Sequence, residues 1–362
     1  MLTEARIQNF KSIQRLQLSL GRVTVLIGEN GSGKSNLLEA IALASAASQL
    51  KLDPEFLVSR GIRVAEPQFM RAAFPGSTDE IIELGLQLDR EDPRVFRLRH
   101  SEEPHPGWVL LELQGQVPQP TGHRPTFSDY LRHLLFNAEL ESFLVYSPEN
   151  SSLRTFEREG QIQPLGVKGE GLFKLLKTLS RPEHQDRWQD LRENLRLLDW
   201  FDDLRIAPNL APYETALQIS DRYLAERADE LALLDQRSAN EGFLFLLFYF
   251  ALLVSKSTPQ CFAIDNIDAS LNPKLCSELL RRLVLLAKKY DKQVILTTHN
   301  PAILDGLDLH DEEQRLFVVH RNSQGHTKVR RITPPRPLGD EPPVKLSEAF
   351  LRGILGGLPQ NF

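Results

Sequence analysis

The stretch VTVLIGENGSGKSNLLEA, residues 23–40, decides the fold because it joins an apolar strand, a glycine-rich loop and the start of a helix. Residues 28–35, GENGSGKS, match the phosphate-binding pattern G-x-x-x-x-G-K-[ST]. The glycines let the backbone turn tightly, so that successive N–H groups point inward at phosphate oxygens. The following helix presents its positive N-terminus to the same anion. The stretch therefore predicts a triphosphate site in an α/β fold.

We expect every residue of this loop, and the residue after it, to contact a nucleotide: Gly28, Glu29, Asn30, Gly31, Ser32, Gly33, Lys34, Ser35 and Asn36. Lys34 would reach the β- and γ-phosphates, and the Ser35 hydroxyl would be a ligand of Mg²⁺. The predicted cofactors are therefore ATP and Mg²⁺. A glycine-rich turn that binds nothing is the alternative, and the strand before the loop and the helix after it argue against that alternative.

Composition and charge restrict the class of protein. The chain has 362 residues, of which 41% are hydrophobic and 25% are charged, as in ordinary globular proteins. The net charge of -5 argues against a generally basic nucleic-acid coat. Two cysteines, no signal peptide and no apolar stretch long enough to span a bilayer predict a cytoplasmic protein without a membrane segment. The longest apolar stretch, residues 243–254, predicts a helix that is buried on all sides.

The order of patterns along the chain predicts a core split by an insertion. Strand and helix patterns alternate over residues 1–50 and again over 235–335, which we assign to one ATP-binding core of mixed sheet flanked by helices. Residues 51–234 are irregular and predict an inserted lid or arm region, with strands at its start and helices in the remainder. Residues 336–362 form a C-terminal extension.

Two later strand patterns end in polar residues. The strand CFAID ends in Asp265, which suits a carboxylate that meets Mg²⁺, and the strand QVILTT is followed by His299. Ligands of open α/β sheets bind at the carboxyl ends of the strands. We therefore expect Asp265 and His299 to lie beside Lys34, although any buried strand can end in an aspartate.

Four segments occur in the order seen in RecF-like and SMC-like ATPases: IQNFKSI, GENGSGKS, AIDNIDASLNP and TTHNPAIL. The chain thus resembles ABC-type P-loop ATPases over about residues 1–45 and 235–310, and within them the OLD-related AAA-type group of bacterial genome-maintenance and phage-defence operons. The resemblance implies a signature loop that completes a partner subunit's ATP site. Its best match is residues 237–242, with Asn240 in place of the usual serine, followed by Glu241 and Gly242. An ordinary helix N-cap is the alternative interpretation of Asn240.

The resemblance also implies that two chains sandwich ATP head to tail, in a homodimer or a higher homo-oligomer. The glutamine of this family that senses the nucleotide has only a weak candidate here, Gln68. The OLD-related group often carries a nuclease domain after the ATPase. The last fifty residues are basic and lack clustered carboxylates, so we expect the effector, a nuclease or toxin encoded in the same operon, to be another protein.

Asn266 departs from the pattern of the family, which usually has a catalytic glutamate after the metal-binding aspartate. An asparagine side chain cannot accept a proton, so we expect slow hydrolysis. Three alternatives stay open. Asn266 positions water while His299 senses the γ-phosphate, Asp268 replaces the missing base, or ATP is clamped and scarcely hydrolysed.

The sequence thus predicts an ATP-driven switch that controls a partner in phage defence or DNA repair. A transporter subunit and a non-catalytic scaffold are the other classes. A RecF-like DNA-binding protein is supported only by the basic stretch of residues 314–339, which contains Arg315, Arg321, Lys328, Arg330, Arg331 and Arg336. A solvated hairpin is the plainer interpretation of that stretch.

Overall fold

The computed structural model describes residues 1–74, 80–89, 93–101, 107–114, 142–154, 163–206, 217–224, 233–334 and 344–358. The strands in this part of the chain are β1 Leu2–Phe10, β2 Ile13–Ser19, β3 Val23–Ile27, β4 Ile82–Leu88, β5 Arg94–Ser101, β6 Gly107–Gln114, β7 Val145–Tyr146, β8 Phe201–Ile206, β9 Leu217–Asp221, β10 Leu233–Leu234, β11 Cys261–Ile264, β12 Gln293–Thr298, β13 Gln314–Arg321 and β14 Thr327–Ile332. The helices are α1 Lys34–Ser48, α2 Pro54–Ser59, α3 Pro67–Met70, α4 Asn150–Arg154, α5 Leu172–Leu179, α6 Gln185–Leu195, α7 Glu241–Val254, α8 Pro273–Lys289 and α9 Leu346–Leu351, with short 3-10 helices at Pro182–His184 and Pro301–Gly306.

A six-stranded mixed sheet forms the centre, in the order β14-β13-β3-β12-β11-β7. Strand β14 is antiparallel to β13, and the other neighbours are parallel. Parallel strands buried on both faces are usually continuous apolar runs, and all five residues of β3 are buried. Because the strands are parallel, their carboxyl ends meet at one edge, and this places the site.

A second, five-stranded antiparallel sheet has the order β2-β1-β4-β5-β6. Strands β4 to β6 fall in the region that the sequence assigns to the insertion, yet β4 pairs with β1 from Leu2↔Leu88 to Gln8↔Glu83. The antiparallel sheet thus continues across residue 50, and the domain boundary drawn there stays a prediction. Pairing between strands more than seventy residues apart leaves no local pattern in the sequence.

Helix α1 lies between the two sheets. Thirteen of its fifteen residues are buried, and its apolar residues share one core cluster with the antiparallel sheet and with alternate residues of the mixed sheet, such as Leu26 and Ile295. The run AIALASAAS supplies small side chains, which let two sheets approach the same helix. The helix that follows the phosphate loop is thus held on both sides.

Helices α7 and α8 cover the other face of the mixed sheet. Every residue from Phe243 to Val254 is buried, so the expectation of a helix buried on all sides is confirmed. Their side chains join a core cluster with the opposite set of strand residues, including Val25 and Leu296. In the described ranges, no helix combines the length and apolar character needed to cross a bilayer.

The described part of the predicted insertion contains strands as well as the expected helices. Helices α4, α5 and α6 are present, and strands β8, β9 and β10 form a three-stranded antiparallel sheet in the order β10-β9-β8. Much of the region predicted to be helical lies outside the described residues, and Val145 and Tyr146 form strand β7. Short strands such as FDDLRI carry too few alternating residues to be distinguished from helix by pattern.

The C-terminal extension, where it is described, packs on the core beside the sheet's carboxyl edge. The Ser347 hydroxyl donates to the Asp305 carboxylate over 2.7 Å, which ties α9 to the 3-10 helix 301–306. Gly357 lies against Val318 and Gly28; a Cβ built on it would be 2.4 Å from Val318 Cγ1 and 3.8 Å from Gly28 Cα. The extension therefore reaches the phosphate loop.

Candidate functional site

The three polar strand ends expected to converge do lie together. Register pairs place Ile27 opposite Thr298 and Ile264 opposite Leu296. Gly28, Asp265 and His299, which directly follow these strands, therefore occupy one edge of the sheet.

Lys34 is the centre of this edge. Its ammonium donates to the carbonyl oxygens of Gly28 at 2.9 Å and Glu29 at 2.8 Å, and lies 3.3 Å from His299 Nδ1. The side chain is only 5% exposed. Burial lowers the pKa of Lys34 to about 8, against the opposing effect of Asp265, Asp268 and Glu29. A buried cation bound only to neutral acceptors is poised to gain from a polyanion. We call Lys34, the two carbonyl oxygens and His299 the Lys34 cluster.

His299 belongs to this cluster while its ring stays accessible to solvent. Partial burial, and then the charge of Lys34, lower its pKa below the usual range, so the ring is neutral at neutral pH. Its Nδ1 lies 3.3 Å from the Lys34 ammonium and 3.2 Å from the Gly28 carbonyl oxygen, so Nδ1 accepts from the first in one tautomer and donates to the second in the other. In the tautomer with the proton on Nε2, the Nε2–H group is a donor for a phosphate oxygen.

Ser35 and Asp265 form the candidate metal site. The Ser35 hydroxyl donates to Asp265 Oδ2 over 2.8 Å. The Thr297 hydroxyl donates to the other carboxylate oxygen, Oδ1, and accepts from the Asn266 backbone N–H at 2.9 Å. Thr297, which is fully buried, thus fixes the carboxylate orientation. Thr297 is the first residue of TTHNPAIL, and the sequence pattern alone gives it no role.

The residues present fit Mg²⁺ and ATP. A hydroxyl and a carboxylate oxygen converge at 2.8 Å, and Mg²⁺ binds few protein oxygens while keeping water and phosphate as further ligands. Gly31 has positive φ and open space around its Cβ position, so the backbone at the loop tip is accessible. Among the described residues, the buried Ser32 hydroxyl has no hydrogen-bond partner, as expected of a donor that a phosphate oxygen would satisfy.

A series of hydrogen-bonded polar side chains supports the phosphate loop, and the sequence patterns did not predict it. Asn36 Nδ2 donates to Ser12 Oγ at 2.7 Å, and Ser12 Oγ lies 2.7 Å from Thr327 Oγ1, which donates to the Ser32 carbonyl at 2.9 Å. Arg321 Nε donates to the Gly31 carbonyl at 2.8 Å. Asn36 thus supports the loop from behind. Ser12 was visible in IQNFKSI, but Thr327 and Arg321 come from a distant hairpin.

Asn266 follows the metal strand in a left-handed conformation, with φ of 56°, and its side chain is exposed. Asparagine tolerates this conformation better than glutamate, which pays a steric cost there. The turn therefore supplies a structural reason for asparagine, in addition to its effect on catalysis.

Asp268 lies beyond the regular strand, which ends at Ile264. Its carboxylate accepts from the Thr298 hydroxyl at 2.6 Å. Its charge acts on both Lys34 and His299. Asp268 is therefore close enough to the Lys34 cluster to remain a candidate base.

Among the described residues, no hydrogen bond joins the signature loop, residues 237–242, to the Lys34 cluster, and the loop makes contacts of its own. Asn240 Oδ1 accepts from the Phe243 N–H at 2.8 Å and caps α7, while Glu241 accepts from the Ser270 hydroxyl at 2.6 Å. Asn240 and Glu241 are exposed, and Gly242 is half-buried against the Ser270 carbonyl. The amide Nδ2 of Asn240 faces outward as a donor at a helix N-terminus.

One further candidate, the nucleotide-sensing glutamine, differs from its expectation. Gln68 is exposed on α3 and donates to Glu66 at 2.8 Å, so the structure does not bring it into the Lys34 cluster. The segment after β7 is a better-placed neighbour of the metal strand, since the Asp265 N–H donates to the Tyr146 carbonyl at 2.8 Å.

The basic stretch is largely occupied within the chain. Arg321 holds the phosphate loop, Arg330 donates to the Leu355 carbonyl, and Arg331 lies 3.8 Å from the Glu312 carboxylate. Arg336 lies outside the described residues. DNA contact through this stretch stays a prediction.

Known structures share this fold. The chain is similar to an SMC head bound to the C-terminal winged-helix domain of ScpA, with a TM-score of 0.59, 16% identity and coverage of 92% of this chain and 98% of that one. It is also similar to the Pyrococcus furiosus Smc head with an extended coiled coil bound to the C-terminal domain of ScpA, with a TM-score of 0.56, 14% identity and coverage of 92% and 96%. The predicted fold class, a P-loop ABC-type core of mixed sheet flanked by helices, is confirmed.

Sequence relatives agree with this fold. The chain is 36% identical over 149 residues to the uncharacterized protein MJECL10 of Methanocaldococcus jannaschii. The matched stretch covers 38% of this chain and 67% of that protein. It is 36% identical over 83 residues to the hemin import ATP-binding protein HmuV of Jannaschia sp., covering 20% of this chain and 30% of HmuV.

The family described as "AAA domain, putative AbiEii toxin, Type IV TA system" matches residues 23–305. This range runs from strand β3 through the Lys34 cluster to the segment after His299. The predicted resemblance to SMC-like P-loop ATPases is confirmed at the level of the fold, while the narrower OLD-related grouping stays a prediction. The chain belongs to this AAA family of P-loop ATPases.

Proposed function

We propose that the chain is an ATP-binding, slowly ATP-hydrolysing switch, two copies of which sandwich ATP head to tail. The observation that carries the proposal is that, among the described residues, no hydrogen bond joins the Lys34 cluster to the signature loop. Lys34, Asp265 and His299 converge in one chain, whereas Asn240 presents an exposed helix N-terminus that contacts its own helix. A symmetric pair can bring one chain's Lys34 cluster to the other chain's signature loop.

The residues of the Lys34 cluster divide the work of holding the triphosphate. Lys34 would exchange its carbonyl partners for phosphate oxygens, and the amides of the loop and the Ser32 hydroxyl would cradle the same group. His299 would donate from Nε2 to the γ-phosphate. Ser35 and Asp265 would hold Mg²⁺, which neutralises charge that develops on the phosphates.

Slow hydrolysis is proposed because Asn266 cannot act as a base. General-base assistance typically supplies about 10²–10⁴-fold in rate. Asn266 would position the attacking water, and Asp268, fixed by Thr298, is a carboxylate that could accept its proton.

A comparison of variants at position 266 tests this part of the proposal. We expect Asn266→Glu to raise steady-state ATP turnover by about 10²-fold if the missing base limits the rate. Asn266→Gly, which tolerates positive φ, is the matched control for the backbone conformation and should not raise turnover. If Asn266→Glu leaves turnover unchanged and Asp268→Asn abolishes it, Asp268 is the base. Wild-type protein that retains ATP without any turnover would instead support the clamp.

We further propose that the ATP-bound assembly controls a partner protein, a nuclease or toxin, in phage defence or DNA repair. The family description names a putative toxin of a type IV system, and the similar SMC heads were crystallised with a ScpA domain. Tagged chain should be co-expressed with the products of its neighbouring genes. We expect a partner to co-purify with wild type in ATP and Mg²⁺ and to be lost with Lys34→Ala; a partner retained equally by both would contradict ATP control.

A further inference from the structure

Arg154 connects the segment after β7 with the signature loop. It is the last residue of α4, and its guanidinium makes four hydrogen bonds. Nε donates to Asn150 Oδ1 at 2.8 Å, and the two terminal nitrogens donate to the carbonyl oxygens of Gln236 at 2.8 Å, Arg237 at 2.7 Å and Ala239 at 2.7 Å. Three consecutive or nearly consecutive carbonyls directly before Asn240 are thus gathered by one side chain.

We propose that Arg154 is a positioning residue that holds the signature loop of its own chain in the orientation needed to complete the ATP site of the partner chain. The inference rests on the proposed head-to-tail sandwich and adds a residue outside every motif identified in the sequence. Arg154 touches neither the Lys34 cluster nor the candidate metal site in its own chain among the hydrogen bonds of the described residues.

The contacts require an arginine rather than any cation. A guanidinium presents five N–H donors in a rigid plane, so one side chain can satisfy three backbone carbonyls that diverge around it. Gln236 and Ala239 are buried, at 6% and 3% exposure, so their carbonyls have little access to water. A lysine has a single donor centre on a flexible stem and would hold fewer of these carbonyls at once.

Helix α4, which carries Arg154, is connected to strand β7 at the edge of the mixed sheet. Strand β7 pairs in parallel with β11, and the Asp265 N–H donates to the Tyr146 carbonyl at 2.8 Å. Helix α4 begins four residues after Tyr146, and its Leu153 is buried in the core. A continuous path of hydrogen bonds and packed residues therefore runs from the metal strand through α4 to the signature loop.

The first test separates ATP binding from assembly. We expect Arg154→Gln to bind ATP with the affinity of wild type, because the Lys34 cluster is intact, while ATP-dependent dimer formation falls by about tenfold or more. Arg154→Lys should recover part of the dimer. Arg181→Gln, which removes an exposed arginine 3.9 Å from Glu183, is the matched control and should behave as wild type. Weakened ATP binding by the Arg154→Gln monomer would overturn the proposal, as would unimpaired dimer formation by a folded variant.

The second test asks which site Arg154 serves. In a heterodimer of Lys34→Ala and Arg154→Gln chains, one site combines both defects and the other combines an intact Lys34 cluster with an intact signature loop. An equal mixture should therefore recover turnover that neither variant shows alone, since each heterodimer carries one intact site. Wild type mixed with Lys34→Ala calibrates the activity of dimers with one intact site.

A mixture of wild type with the double variant, Lys34→Ala with Arg154→Gln in one chain, completes the design. Its heterodimers have no intact site and should add nothing to the turnover of the wild-type homodimers. If Arg154 served its own chain's ATP site, the mixture of separate single variants would be inactive while the calibration mixture was active. If dimers with one intact site are inactive in the calibration mixture, the ATP-dependent dimer formation of Arg154→Gln, measured by particle mass, decides whether Arg154 serves the partner's site. Failure of wild type to dimerise with ATP would instead overturn the proposed function itself.

Discussion

The Lys34 cluster and the signature loop illustrate two ways in which a chain can present a half-site. In the Lys34 cluster and the adjacent candidate metal site, polar groups satisfy one another: Lys34 donates to carbonyl oxygens, and Ser35 donates to Asp265. In the signature loop, Asn240 is exposed, with its oxygen used for a helix cap and its amide directed outward. The Lys34 cluster is suited to bind a polyanion, and the exposed signature loop is suited to contact a second protein chain. An ATP site shared between two chains needs one half-site of each kind.

Removal of the Lys34 charge should have the largest effect. Lys34→Ala takes away the buried cation whose pKa is lowered to about 8, and we expect ATP affinity to fall by about 100-fold or more. Titration calorimetry would measure the loss. Lys289→Ala, which removes an exposed lysine paired with Asp190, is the control. Undiminished ATP binding by a folded Lys34→Ala protein would contradict the assignment of the loop.

Asn240 variants distinguish the cap from the donor. Asn240→Asp keeps an oxygen for the Phe243 N–H but replaces the outward amide by a carboxylate, so we expect ATP-dependent assembly to fall by about tenfold with little change in monomer stability. Asn240→Ser keeps both a cap and a donor and should assemble nearly as wild type. Light scattering measures assembly and thermal unfolding measures stability. Equal assembly by the two variants would leave Asn240 as a cap only.

Loss of the Thr297 hydroxyl should weaken Mg²⁺ binding, because this hydroxyl orients the Asp265 carboxylate. Thr297→Val removes the hydroxyl that orients the carboxylate while keeping the shape of the side chain. Outer-shell partners of this kind typically change metal affinity by about 10-fold or more, so the Mg²⁺ concentration needed for half-maximal turnover should rise accordingly. Thr297→Ser, which keeps the hydroxyl, is the control. An unchanged Mg²⁺ requirement in Thr297→Val would show that Asp265 is oriented without it.

The pH dependence of binding should give the smallest effect. In free protein the pKa of Lys34 is about 8, and a bound triphosphate favours the charged ammonium and raises that pKa. Binding should therefore take up about half a proton at pH 8, and affinity should fall as pH rises above 8, by up to about tenfold per unit. Calorimetry in buffers of different ionisation enthalpy measures the uptake. Proton release at pH 8 would contradict a depressed pKa.

Local patterns predicted much of the Lys34 cluster. The loop, the metal strand and the strand before His299 are each continuous in the sequence, and parallel strands bring their ends together by geometry alone. The pairing of β4 with β1 and the bracing of the loop by Thr327 depend on contacts between distant residues, for which a single sequence has no signal.

The remaining differences arise from backbone conformation and from side chains outside motifs. The left-handed turn at Asn266 is set by the way β11 ends, which the sequence alone does not specify. Arg154 is the last residue of a short helix with no recognisable pattern, so its three carbonyl contacts appear only in three dimensions.

The most direct test of the two-half-site account is the mass of the purified chain with and without ATP and Mg²⁺. A chain of 41.2 kDa should move to a particle of about twice that mass, or a multiple of it, when ATP and Mg²⁺ are present, with one nucleotide per chain. Lys34→Ala should stay unchanged under the same conditions. Tight binding of one ATP per chain with no change in mass would show that a single chain completes its own site, and it would contradict the account.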